Sequence, residues 1–182
     1  MRGKSFLLAA MGMLLLATLT LVVAPWWTLQ RSMPQRAAAL PEAVARGREQ
    51  YVALGCVYCH SQQPRAGKVS QADAAWGWGS PGRVETYAGQ DPHLLGTMRT
   101  GPDLLRIGDR QPSREWQLLH LYQPRLLVAE SIMPSYPFLF SLGEGEPGEG
   151  AVPLPGGGWV LPRPEAEDLL AYILSLKEEA TP

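Results

Sequence analysis

Residues 56–60 read Cys-Val-Tyr-Cys-His, and the chain has no other cysteine. C-x-x-C-H is the attachment signature of a c-type haem, in which each thiol adds to one vinyl group and the histidine reaches the iron as an axial ligand. The short spacing lets both sulfurs reach one porphyrin edge while the histidine stands under the metal. The pentapeptide therefore predicts one covalent haem c, held by Cys56, Cys59 and His60.

Two other uses of the cysteine pair fit the sequence less well. A structural zinc site takes four protein ligands and usually a second Cys or His pair. A thioredoxin-like dithiol calls for a strand–helix–strand context, whereas the residues before Cys56 have a helical apolar pattern. Because the haem would use both thiols, we expect no disulfide scaffold.

The second axial ligand is expected to be a methionine, which electron-transfer haems commonly place opposite the histidine. Met33 lies in a short linker, and Met98 precedes Gly101-Pro102 by three residues. Such a Gly-Pro pair typically offers a carbonyl to the proximal histidine in cytochromes c, which raises the basicity of the ring. Met98 would then lie on the proximal side, so Met133, followed by Pro134, is the predicted distal ligand, with core packing as its alternative role.

An iron with both axial positions filled leaves no place for a substrate, so no catalytic residue is predicted and the domain is expected to carry electrons. His93 and His120 are the remaining histidines. Either could ligate iron, but one C-x-x-C-H means one haem. Local structural hydrogen bonds are the expectation for both, and His120 is also a candidate for facing a partner.

An apolar segment at residues 5–30 runs for 26 residues without a charge, and a membrane-spanning helix needs about 20. Arg2 and Lys4 precede it, which places the N-terminus in the cytoplasm, and Trp26-Trp27 suits the interface. A cleaved signal peptide usually has an apolar core of about 7–15 residues, and Pro25 is awkward for cleavage. Residues 1–30 are therefore predicted to be a cytoplasmic N-terminus and an uncleaved anchor.

The rest of the chain is then outside the cytoplasmic membrane, where bacteria attach haem c. We expect a linker at 31–40 and one domain at 41–182, which is long enough for a real core. The formal net charge is −1 and no Lys/Arg run occurs, so nucleic acid is not an expected partner.

Three segments of the domain are predicted to be helical, and no strand is expected, so the fold class is all-α. Pro41 and Glu42 begin the first helix, and Ser113 is a candidate N-cap for the second, which ends near Pro124. The third begins near Glu165 and is expected to cross the first closely, at Gly47 opposite Tyr172.

Two segments of the domain have no helical period. Residues 61–100 are predicted to be a folded loop. In residues 141–164, half of the positions are Gly or Pro, with Glu144, Glu146 and Glu149 among them. We expect a mobile surface excursion there, with an acidic docking patch as the alternative.

Several ordered motifs between residues 41 and 140 resemble the mono-haem cytochrome c subunit of cbb3-type cytochrome oxidases. The entry motif comprises Gly47-Arg48, Tyr51, Gly55-Cys56 and Cys59-His60-Ser61-Gln62. The central block comprises Asp91-Pro92, Gly96 and Arg99-Thr100-Gly101-Pro102-Asp103-Leu104. The third block comprises Trp116, His120-Leu121, Pro124-Arg125, Glu130-Ser131, Met133-Pro134 and Tyr136-Pro137.

The resemblance implies a class I-like cytochrome c domain in the respiratory chain. Its partners would be a donor cytochrome c or a di-haem sister subunit, and the polytopic haem-copper catalytic subunit that receives the electrons. It also supports Met133 as axial ligand and Pro102 as the proximal hydrogen-bond acceptor. The chain departs from the family at Gln63-Pro64-Arg65, where an apolar residue usually precedes Arg-Pro, and at 141–164.

Three other functions remain open from the sequence. One is the small anchored cytochrome of a nitric oxide reductase, and another is a free-standing, membrane-tethered electron carrier. A haem-based sensor would need an open or weakly held axial site, which a Met133 ligand disfavours.

Overall fold

A computed structural model describes residues 2–32, 39–65, 67–82, 84–87, 90–144 and 146–177. The chain divides into two units. The first comprises Met1–Ala38 and Arg83–Asp91, and the second comprises Ala39–Gly82 and Pro92–Pro182. Most of the predicted linker at 31–40, including Met33, lies outside the described residues.

The first unit contains a long apolar helix. It consists of α1 (Arg2–Thr18), a π-helical turn (Leu19–Val23) and α2 (Ala24–Ser32). From Gly3 to Arg31 it has 29 residues. Its most apolar 18-residue stretch has a mean hydropathy of 2.5, and none of the residues in that stretch is buried. At about 1.5 Å per residue, it is longer than the hydrocarbon core of about 30 Å. By length and composition, this helix could span a membrane.

Polar groups inside this helix are satisfied locally. The hydroxyls of Thr18, Thr20 and Thr28 each donate to the carbonyl four residues earlier, at 2.8 Å, as a low-dielectric surrounding requires. At the far end, the guanidinium of Arg31 lies 3.6 Å from the ring centre of Trp27. The charged end of the helix therefore packs on an aromatic ring of the kind found at membrane interfaces.

The second unit is rich in helices. They are α3 (Glu42–Ala53), α4 (Lys68–Ala75), α5 (Ile107–Arg110), α6 (Arg114–Tyr122) and α7 (Pro164–Ser175), joined by 310 turns at Cys56–Tyr58, Pro124–Leu126 and Pro137–Leu139. The expectation of a helix-rich domain is confirmed. Helix α4 lies in the stretch predicted to be a loop. It is only 8 residues long, too short for an apolar period to be evident in the sequence.

The predicted crossing of the first and last helices is confirmed. A Cβ on Gly47 would lie 1.8 Å from the carbonyl oxygen of Asp168 and 2.8 Å from Cβ of Tyr172, so only glycine allows α3 and α7 to approach this closely. The rings of Tyr51 and Tyr172 lie 5.3 Å apart, and Arg46 donates to both carboxylate oxygens of Asp168, at 2.6 and 2.9 Å.

Helix α6 begins as predicted. The backbone N–H of Trp116 donates to the hydroxyl of Ser113 at 3.2 Å, which makes Ser113 the N-cap. The helix ends at Tyr122, before Pro124. Its inner face, at Leu118, Leu119 and Leu121, is buried.

A small antiparallel sheet corrects the all-α prediction. Strands β1 (Phe140–Gly143), β2 (Val152–Pro153) and β3 (Trp159–Pro162) lie in the order β1-β3-β2. The sheet forms because Val152 and Val160, which pair across β2 and β3, are 1% and 0% exposed in the core. Residues 141–164 were expected to be a surface excursion because half of them are Gly or Pro. The described Gly and Glu residues at the turns do lie at the surface, but the residues between them form the strands.

Candidate functional site

The Cys-x-x-Cys-His motif forms a tight turn directly after α3. The backbone N–H groups of Cys59 and His60 both donate to the carbonyl of Cys56, at 3.1 and 2.9 Å. Helical spacing of this kind places positions i, i+3 and i+4 on one face. Both thiols are free, and burial raises the pKa of the Cys56 thiol to about 11. The turn thus presents two thiols and one imidazole together.

The imidazole of His60 is held by the segment around residue 101. Nδ1 lies 2.8 Å from the carbonyl oxygen of Pro102. Because a carbonyl can only accept, Nδ1 carries the hydrogen and Nε2 keeps its lone pair. Burial lowers the pKa of His60 more than its backbone partner and the charge of Asp103 raise it. The ring is therefore neutral near neutral pH, as a metal ligand must be.

The close approach of this segment depends on Gly101. Its N–H donates to the carbonyl of Cys59 at 2.9 Å. A Cβ at this position would lie 2.3 Å from Cε1 of His60, so any larger residue would push the imidazole away. The backbone at 101–102 therefore forms one wall against the histidine ring.

Met133 and Met98 differ in their surroundings. Met133 is partly buried and packs against the core cluster that includes Cys56, Leu121 and Tyr136. Met98 is 56% exposed, which is unfavourable for a residue that must exclude water from a metal. Of these two methionines, Met133 is therefore the better candidate for an axial ligand.

Tyr136 joins the Met133 segment to both α6 and the cysteine motif. Its backbone N–H donates to the carbonyl of Leu121 at 2.9 Å, and its hydroxyl donates to the carbonyl of Leu54, two residues before Cys56, at 3.5 Å. Burial, together with the two cysteines, raises the pKa of Tyr136 to about 12. The Met133 segment is thus tied to the same part of the unit as the motif.

Of the two remaining histidines, His120 departs from the expectation of local hydrogen bonding. His93 is exposed. His120 stacks on Trp116, with ring centres 4.6 Å apart and planes at 12°, and its buried Nδ1 has no hydrogen-bond partner among the described residues. Burial lowers the pKa of His120. Stacking, which residue spacing alone does not specify, takes the place of the predicted hydrogen bond.

The residues fit a haem better than a protein-caged metal. A haem c takes two thiols and a neutral imidazole with a free nitrogen, and in electron-transfer domains it commonly takes a methionine sulfur as well. Cys56, Cys59, His60 and the partly buried Met133 supply these groups. In the described part of the chain, no three His, Cys, Asp or Glu side chains cluster as a metal site, so the second ligand pair of a structural zinc site is missing there.

Sequence reasoning missed a buried ionic cluster next to His60. Arg99 and Asp103 belong to the central block of the family resemblance, but no role was predicted for them. No pattern in the sequence distinguishes Asp73. Arg99 binds Asp73 directly, and the hydroxyl of Ser61, the residue that follows His60, links Arg99 to Asp103. A buried carboxylate has no local pattern, so only the folded chain identifies it.

Comparison with protein families identifies a matching family. The sequence model described as "Cytochrome C oxidase, mono-heme subunit/FixO" matches residues 1–144. The matched region contains the apolar helix, the cysteine motif, Pro102 and Met133, and it ends just after β1. No curated protein matches the chain.

Proposed function

Because the chain belongs to the FixO family of mono-haem cytochrome c oxidase subunits, we propose that it relays electrons to the catalytic haem-copper subunit of a cbb3-type terminal oxidase. One observation carries the proposal: the Pro102 carbonyl lies 2.8 Å from Nδ1 of His60. This contact leaves Nε2 free to bind iron, directly beside two free thiols.

The haem would be attached covalently in a class I-like cytochrome c domain. Cys56 and Cys59 would each form a thioether with one vinyl group, so that both thiol hydrogens are transferred to the porphyrin substituents. His60 and Met133 would bind the iron from opposite sides. The haem iron supplies the redox chemistry, by taking up and releasing one electron.

The chain's own residues would orient and shield this group. The Pro102 carbonyl would make His60 a stronger electron donor, and the core side chains that pack against the partly buried Met133 would limit the access of water. If His60 and Met133 both hold the iron, no ligand position would be left for oxygen, and the subunit would transfer electrons without reducing oxygen itself. It would receive electrons from a donor cytochrome c or a di-haem sister subunit.

The apolar helix would anchor the subunit in the bacterial cytoplasmic membrane as a single span. Arg2 and Lys4 precede the helix, so the N-terminus would lie inside and the haem domain on the periplasmic face. The domain would extend over 41–182, after a linker at 31–40.

Purification of the full chain in mild detergent tests the proposal. We expect a polytopic haem-copper subunit to accompany it, and one haem c that stays on the polypeptide after extraction with acidified solvent. The double variant Cys56→Ser/Cys59→Ser should lose that haem. A partner with haem and non-haem iron would point to a nitric oxide reductase instead, and purification without any partner would point to a free-standing carrier.

A further inference from the structure

A buried ionic cluster lies beside the histidine that would bind the haem. The side chains of Asp73 and Asp103 are 1% and 0% exposed, and that of Arg99 is 14% exposed. Two carboxylates and one guanidinium are therefore almost removed from water. Such groups stay charged only if hydrogen bonds and opposite charges replace the lost hydration.

Arg99 fulfils this condition for Asp73. Nη1 and Nη2 donate to the two carboxylate oxygens of Asp73, at 2.7 and 3.0 Å. Although burial by itself would raise the pKa of Asp73, hydrogen bonds from Arg99 and Arg65, and their charges, hold it below its usual range. The central carbon of the guanidinium also lies 4.8 Å from the ring centre of Trp78. Arg99 is thus fixed from several directions.

Arg99 also reaches the segment that follows the cysteine motif. Nε donates to the hydroxyl of Ser61 at 2.9 Å, and Nη2 donates to the carbonyl of Gln63 at 2.7 Å. A single guanidinium therefore joins residues 61–63 to Asp73 of α4. Arg99 stands two residues before Gly101, so it anchors one end of the segment that contacts His60.

Asp103 anchors the other end of that segment. Its carboxylate accepts hydrogen bonds from the hydroxyl of Ser61 at 2.6 Å, the N–H of Gln63 at 2.7 Å and the N–H of Leu105 at 2.9 Å. Asp103 directly follows Pro102. The Gly101-Pro102 backbone is therefore held on both sides to the same residues, 61–63, which continue directly from His60.

We propose that Arg99, paired with Asp73, is a positioning residue that keeps the Pro102 carbonyl on Nδ1 of His60 and thereby contributes to the reduction potential of the haem. This inference rests on the proposed function, because it requires His60 to bind the iron. Stability alone is a weak explanation of the cluster, since a buried ion pair often contributes no more than apolar side chains of the same volume.

The variant Arg99→Lys separates positioning from charge. Lysine keeps the positive charge but lacks the planar fork that donates to Asp73, Ser61 and Gln63 together. If Arg99 positions Pro102, the His60 Nδ1–H···O bond loosens in this variant. The Nδ1 hydrogen should then exchange faster with water, and the reduction potential should rise because a less basic imidazole stabilises ferric iron less.

The experiment uses the full-length haem protein in detergent, labelled with 15N-histidine. NMR of the reduced form gives the exchange rate of the His60 Nδ1 hydrogen, and a spectroelectrochemical titration gives the potential. Arg46→Lys is the matched control, because Arg46 also binds both oxygens of an aspartate but lies at the crossing of α3 and α7. Ser61→Ala is the second test variant, since it removes only the hydroxyl that links Arg99 to Asp103.

We expect faster exchange and a higher potential in Arg99→Lys and, to a smaller extent, in Ser61→Ala, with wild-type values in Arg46→Lys. The inference is overturned if Arg99→Lys and Ser61→Ala both keep the wild-type exchange rate and potential, or if Arg46→Lys shifts them equally. A wild-type protein that carries no covalent haem on Cys56 and Cys59, or whose His60 does not bind the iron, would instead refute the proposed function, and the inference with it.

Discussion

The replacement Gly101→Ala directly perturbs the contact between the backbone and the histidine ring. The new Cβ would lie 2.3 Å from Cε1, 2.8 Å from Nδ1 and 2.9 Å from Nε2 of His60, where ordinary contact begins at 3.4 Å. The ring or the 101–102 backbone must therefore move by about 1 Å, since a well-packed interior has no void to absorb the methyl group.

Two effects of known size follow from this movement. Overpacking a site of this kind costs about 1–3 kcal/mol of stability. A shift of about 1 Å also takes the bond between His60 and Pro102, now 2.8 Å long, beyond the range of about 2.7–3.2 Å for N–H···O bonds. The net value of such a bond is about 1 kcal/mol, and we take all of it to favour ferric over ferrous iron. Losing the bond then raises the reduction potential by about 40 mV, because a tenfold change in the equilibrium constant corresponds to about 59 mV for one electron.

Spectroelectrochemical titration and urea unfolding of the full-length protein in detergent measure both effects. Gly148→Ala is the matched control, since a Cβ there meets nothing within 4 Å. We expect the control to keep the wild-type potential and stability. An unchanged potential and unfolding midpoint in Gly101→Ala would show that the segment is free to move away from His60, and the reasoning would be wrong.

Three further predictions concern the core, the acid limb of stability and the distal ligand. Gly47→Ala should lower the free energy of unfolding by about 1–3 kcal/mol, as overpacking of a core does, because the new Cβ would lie 1.8 Å from the Asp168 carbonyl oxygen and 2.8 Å from Cβ of Tyr172. Urea unfolding measures this effect against the control Gly156→Ala, whose Cβ meets nothing within 4 Å. Equal unfolding midpoints of the two variants would contradict the prediction. The pKa of Asp73 is lowered from 3.8, so its contribution to stability is present above the unfolded value and is lost as the pH falls through the folded one. Asp73→Asn should therefore flatten the acid dependence of the unfolding midpoint, and a wild-type slope would exclude this role. Met133→His should lower the haem potential and abolish the sulfur-to-iron charge-transfer band of the ferric protein, whereas Met98→His should keep the band. If the band instead survives in Met133→His and disappears in Met98→His, Met98 is the ligand.

Local features were sufficient to identify most of the helices and the central motif. The Ser113 cap is local, because its hydroxyl accepts the N–H of Trp116, three residues further along the chain. The close crossing at Gly47 was predicted from a glycine inside an otherwise regular helical pattern. The sheet was missed because Val152 and Val160 stand in a Gly/Pro-rich composition, and only their shared burial reveals them. Helix α4 was missed because its 8 residues are too few to show an apolar period.

The sequence by itself determined the two features that depend on neighbours along the chain. These are the thiols and imidazole of residues 56–60 and the uncharged apolar run of residues 5–30. Tertiary structure alone decided which methionine is shielded, and which buried charges surround the histidine. The Pro102 carbonyl, which the Gly-Pro pair indicated as the partner of the histidine, lies 2.8 Å from His60 Nδ1, whereas no sequence pattern indicated that Asp103 binds Ser61 across 42 residues. Such an approach follows from the packing of whole segments against one another, and no spacing of residues along the chain encodes it.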